Sequence, residues 1–76
     1  TLNGSGDAVF FANDIGNTIT VKGNADAHHF AVKSYNYSTS ELLVNTTEPY
    51  EGTVMLHEVP VIFVVTAESN WSITFN

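Results

Sequence analysis

Cysteine and arginine are both absent from the 76 residues, and Lys22 and Lys33 are the only lysines. Without cysteine the chain lacks the usual staple of small exported domains, and its redox compartment stays open. Two cations stand against eight carboxylates, for a formal charge of −6. That balance repels phosphate backbones and anionic lipid, so neither nucleic acid nor a membrane surface is an expected partner. Long hydrophobic runs are missing as well. The longest, Val59 to Val65, is far too short to span a bilayer, so membrane insertion is not expected. No signal-peptide pattern is read, and a start at Thr1 is expected of a processed chain or a fragment.

What is present describes a folded domain. Hydrophobic residues make up 43% of the chain and charged residues 13%, which separates it from acidic disordered tails. The length predicts one domain, 1–76, near the lower limit for a self-supporting core. Such a core supplies only about 3–5 kcal/mol, so disulfide-free domains of this size lean on metal, oligomerisation or flanking chain. Abundant Asn, Thr and Ser with few lysines suit an extracellular or cell-surface setting.

Turn signals recur at Asn13–Asn17, Gly23–Asp26, Ser38–Ser40, Thr47–Pro49, His57–Pro60 and Glu68–Asn70. Short runs rich in Val, Ile, Thr, Phe and Tyr separate them, and no segment carries a helical period. The pattern predicts an all-β, compact antiparallel sandwich of about seven strands, Ig-like or jelly-roll-like, near residues 8–12, 17–23, 28–36, 41–46, 51–56, 60–67 and 70–75. Asn3-Gly4-Ser5-Gly6 reads as a linker, and 1–7 as a flexible or exchanged segment. Alternation assigns the faces. Phe30 and Val32 fall on one side of the third strand, with Ala31, Lys33, Tyr35 and Tyr37 on the other. Phe63 and Val65 alternate with Ile62 and Val64, so the sixth strand is expected to be central and covered on both sides, with Pro60 as its first residue. Trp71, the single tryptophan, is in phase with Ile73 and Phe75 and is expected in the core rather than as a ligand platform. The predicted core is Phe30, Val32, Val54, Phe63, Val65, Trp71 and Ile73.

Gly4-Ser5-Gly6-Asp7, "NADAHHFAV", "ELLVN", "PYEGTV" and "AESNWSI" follow one another in an order that resembles a small domain of exported prokaryotic proteins and lipoproteins. The resemblance runs from Gly4 to Ile73 and departs from the pattern at His28-His29 and at "HEVPVIF". It implies a compact β-sandwich without established enzymatic activity, in which Leu42–Asn45 and Tyr50–Val54 are structural.

Candidate chemistry is sparse. Adjacent strand residues point to opposite faces, so His28 and His29 do not readily share one ion, and His57 stands apart in a turn; no zinc site is expected. No serine sits in a nucleophile-elbow context, and a sandwich this small has little room for a deep pocket, so catalysis is not expected. Asp7, Asp14 and Asp26 offer hard oxygen ligands for calcium, although solvated turn acids are the plainer account. Asn-x-Ser/Thr triplets begin at Asn3, Asn36, Asn45 and Asn70, making glycosylation a candidate modification. Asn36 is the weakest, because it shares parity with Phe30 and Val32 unless the strand has ended. His29, Lys33, Tyr35 and Tyr37 form an outer stripe suited to a sugar or a protein partner.

Three functions are weighed on these features. A structural subunit of an extracellular assembly, such as a surface filament of copies of itself, accounts for the marginal core, the sequons and the acidic surface. It also gives Thr1–Ala12 a role as a segment exchanged or docked between subunits. A carbohydrate- or protein-binding module of a larger secreted protein is the alternative, and a small enzyme ranks last.

Overall fold

The computed structural model describes residues 1–11, 16–56 and 60–76. Every element in them is a strand: β1 (Leu2–Ser5), β2 (Ala8–Phe11), β3 (Thr18–Gly23), β4 (Phe30–Tyr35), β5 (Ser40–Thr46), β6 (Tyr50–Met55), β7 (Ile62–Thr66) and β8 (Asn70–Phe75). They form two four-stranded sheets, ordered β1-β8-β3-β6 and β2-β7-β4-β5. All the strand pairings are antiparallel. The architecture is the expected all-β sandwich, with eight strands instead of about seven.

The additional strand is β1, where the sequence reads as a glycine-rich linker. Leu2–Ser5 pairs with β8 so that Gly4 lies opposite Trp71. A Cβ on Gly4 would fall 2.3 Å from Cζ2 of Trp71, so the missing side chain lets the backbone lie across the indole. The indole Nε1 donates to the Gly6 carbonyl at 2.9 Å. Gly6 takes a positive φ of 73°, a turn that passes the chain from the edge of one sheet to the edge of the other. Asp7 closes the corner by accepting a hydrogen bond from the Ala67 amide at 2.9 Å. Glycines that suggest a hinge therefore serve close packing.

The core lies between the sheets because alternation sends one side of each strand inward. Ile19, Val21, Trp71 and Ile73 meet Phe30, Val32, Val44, Phe63 and Val65 in one buried cluster. Phe30, Val32, Phe63, Val65, Trp71 and Ile73 are buried as expected, while Val54 is half-buried and packs against the cluster. Val54 belongs to β6, an edge strand, where one side of each residue has no neighbouring strand to cover it. Phe10, which the sequence reading leaves out of the core, joins three other rings. Its ring centre lies 5.4 Å from Phe63, 6.1 Å from Trp71 and 6.2 Å from Phe75.

β7 is central, paired with β2 and β4. Its outer residues Ile62 and Val64 are only half-buried, since no second layer covers that side among the described residues. The strand starts at Ile62, two residues after Pro60, and Val61 N–H adds a hydrogen bond to the Tyr35 carbonyl at 2.7 Å.

Candidate interaction face

The two outer faces differ in chemistry. On the β1-β8-β3-β6 sheet the outward side chains are mostly hydroxyls and amides. Thr74, Thr20 and Thr53 stand opposite one another across β8, β3 and β6. Thr1 and Thr74 share a hydrogen bond at 2.9 Å, and Thr20 and Thr53 share one at 3.0 Å. In the next row the neutral Asn3 and Ser72 are followed by the oppositely charged Lys22 and Glu51. A water-facing sheet is expected to look like this.

The outer face of the β2-β7-β4-β5 sheet does not. The register aligns Val9 with Val64, Val64 with Lys33, and Lys33 with Leu42. The next row is Phe11, Ile62, Tyr35 and Ser40. Lys33 is the one charged side chain in these two rows. Phe11 is 77% exposed, Val9 68% and Leu42 50%. Scattered exposed apolar residues are ordinary, but here Val9, Phe11, Ile62 and Val64 adjoin on β2 and β7, Tyr35 extends them onto β4, and Leu42 lies beyond Lys33 on β5. An apolar grouping of this kind is typical of a contact surface. An open depression of about 390 Å³ continues it along Asp7, Ala8, Val9, Val64, Val65 and Thr66.

The expected stripe maps onto this face in part. Lys33 and Tyr35 point outward from β4, whereas His29 precedes the strand and Tyr37 stands 96% exposed in the turn after it. The strand is shorter at both ends than the sequence predicts, because its turns take residues from it. Asn36 organises the later turn: its Oδ1 accepts the amides of Ser38 and Thr39 at 2.9 and 2.7 Å. The condition attached to Asn36 is thus met, since β4 ends at Tyr35. Asn3, Asn45 and Asn70 are exposed. Asn3 and Asn70 flank a second depression of about 290 Å³, beside Lys22, Ser72 and the edge of Trp71.

Little else converges. His28 Nδ1 lies 3.9 Å from Glu68 Oε2 at an exposed position, a contact that contributes little to stability. Among the described residues no group of three His, Asp or Glu side chains is placed to hold a metal ion. Asp14 and His57 lie outside the described residues; Asp26 is exposed, and Asp7 is spent on the Ala67 amide. No helix of the described residues is long and apolar enough to cross a membrane.

Val9 and Phe11 fall within Thr1–Ala12, the segment expected to dock between subunits, whereas Ile62, Val64 and Leu42 are functional candidates that sequence reasoning missed. The signal was available: β2 and β7 are apolar at both parities, and they are neighbours. Taken strand by strand, that pattern reads as a doubly covered strand; only the pairing shows that both leave the same side uncovered. No protein-family model, curated protein or solved structure matches this chain.

Proposed function

We propose that the chain is a non-catalytic structural subunit of an extracellular assembly, such as a surface filament, built from copies of itself. The observation that carries this reading is the exposed apolar face of Val9, Phe11, Ile62, Val64 and Leu42, which is a surface for contact and not a centre for reaction. Among the described residues, neither the Val9 row nor the Phe11 row carries an acidic side chain, which favours the approach of two copies despite a formal charge of −6. The ordered motifs that resemble exported prokaryotic domains support an extracellular setting. Exposed Asn3, Asn45 and Asn70 support glycans as part of the mature surface.

A binding module for a carbohydrate or protein is the second reading. The depression between Asn3, Lys22, Asn70 and Ser72 favours it, because neutral amides and hydroxyls suit sugar hydroxyls.

Sedimentation velocity over a wide concentration series tests the assembly reading. The average mass is expected to rise with concentration, and Phe11→Lys should lower it at every concentration while leaving the fold intact. A chain that stays monomeric throughout defeats the reading and leaves the binding module in its place.

A further inference from the structure

Among the described residues the sandwich has four open edges, β1 and β6 on one sheet and β2 and β5 on the other. Folded proteins guard such edges with charges, proline, bulges or short polar strands, because unpaired amides and carbonyls recruit further strands. Three of the edges carry a guard. β5 breaks its register with β4 between Val32 and Lys33, where Leu43 is the extra residue of a bulge. β6 turns Glu51 and Thr53 outward. β1 is polar, with Asn3 and Ser5 on its outer side. β2, Ala8-Val9-Phe10-Phe11, has no charge, no proline and no bulge against β7.

We infer that β2 pairs antiparallel with β2 of a second copy across a two-fold axis, joining two four-stranded sheets into one sheet of eight. The inference rests on the assembly reading above and adds an edge contact beside the apolar face, which it extends across both copies. Phe10 opposite Phe10 of the second copy is the register that fits. It sets Val9 against Phe11 of the second copy and Phe11 against Val9, both on the outer face. Opposed residues in an antiparallel pair share a face, so a slip of one residue would turn Phe10 of one copy outward beside Val9 of the other. The stated register keeps both cores inward, and it makes two aromatic–β-branched cross-strand pairs, a combination that stabilises antiparallel sheets.

Charge among the described residues near this edge does not oppose a second copy. The two Lys33 side chains end up five strand spacings apart, about 24 Å at about 4.8 Å per strand. The two Asp7 residues lie six residues apart along the paired strands, about 20 Å at about 3.3 Å per residue. Both separations exceed a Debye length of about 8 Å at physiological salt, so neither pair opposes association. An unrelated extended peptide would meet the same backbone, but the second copy brings an edge already held in strand form. It therefore pays less ordering entropy than a flexible segment. Four residues bury less than a standard interface, so the pairing is weak and depends on concentration.

The full chain contains no native cysteine, which makes cross-linking a clean test. Val9→Cys and Phe11→Cys chains, each folded by circular dichroism, are oxidised alone and as a mixture at high concentration. Disulfide dimers are expected chiefly in the mixture, and a Met55→Cys chain, placed on the β6 edge, should give far fewer. In parallel, Val9→Lys should weaken dimerisation by tenfold or more, while Thr53→Lys should leave it unchanged. Equal cross-linking of Val9→Cys with itself overturns the register. Dimerisation that survives Val9→Lys and gives no β2 cross-links overturns the edge pairing but leaves assembly standing. A wild-type chain that is monomeric at every concentration defeats both. Amide protection of β2 that arises only when an unrelated extended peptide is added overturns the pairing between copies.

Discussion

Asn24 offers a sharp test of what holds the sandwich ends together. It is 1% exposed, with a positive φ of 64°. Its Nδ2 donates to the His28 carbonyl at 2.6 Å and to the Glu48 carbonyl at 2.9 Å, and its Oδ1 accepts the His28 amide at 3.0 Å. Its own amide reaches the Asn70 carbonyl at 3.4 Å. One residue thus ties the β3–β4 connection to the β5–β6 turn and to the start of β8. Asn24→Gly keeps the left-handed backbone and deletes the three side-chain bonds. At about 1 kcal/mol each the loss is about 3 kcal/mol, of the same order as the whole stability of a domain this small. Asn24→Ala loses the same bonds and adds roughly 1–2 kcal/mol of left-handed strain. Asn24→Asp keeps the acceptor for His28 but sets a carboxylate against two carbonyls, so it should be worse than Gly. Urea unfolding followed through the buried Trp71 measures all three. The expected order of stability is wild type, then Gly, with Ala and Asp below both. An Ala variant as stable as the Gly variant would refute the backbone argument, and a Gly variant as stable as wild type would refute the hydrogen-bond argument.

Gly4→Ala should destabilise the fold by roughly 1–3 kcal/mol through overpacking, because its Cβ meets the Trp71 ring. It should also loosen β1 selectively, seen as faster amide exchange at Leu2–Ser5 than in β3 or β8. Material from the native source should carry a glycan on at least one of Asn3, Asn45 and Asn70. An intact mass equal to the bare polypeptide would end that expectation.

Where side-chain alternation is clean, the fold was legible. β4 and β8 each place one apolar parity inward, and Phe30, Val32, Trp71 and Ile73 form most of the predicted core, whereas the buried Ile19 and Val21 of β3 are not among it. Legibility ended where a residue's role depends on a partner strand distant in sequence. Asn3-Gly4-Ser5 has little strand propensity, and only the close approach to Trp71, 67 positions after Gly4, makes Leu2–Ser5 a strand. Asn24 looks like an ordinary turn residue, because its value lies in the Glu48 and Asn70 carbonyls that the fold brings to it. The apolar face was written into β2 and β7, yet each strand alone is equally consistent with burial on both sides. Pairing β2 at the sheet edge decides between the two.

If copies pair as proposed, β2 would also couple stability to association. Phe10 points inward to the rings of Phe63, Trp71 and Phe75, while Val9 and Phe11 on the same four residues point outward and stay exposed. The strand is held on one side only, by β7, and the turn at Gly6 and Asp7 is its link to the other sheet. A partner strand on its free edge would hold the backbone that presents Phe10, so contact between copies would reinforce the core of each. The coupling runs both ways, as linkage requires. A perturbation that loosens Phe10 inside the sandwich weakens the edge offered to a second copy, and loss of the second copy lowers the stability of the sandwich. A small domain without disulfides can thereby gain stability through assembly, using the same four residues for its core and for its contact.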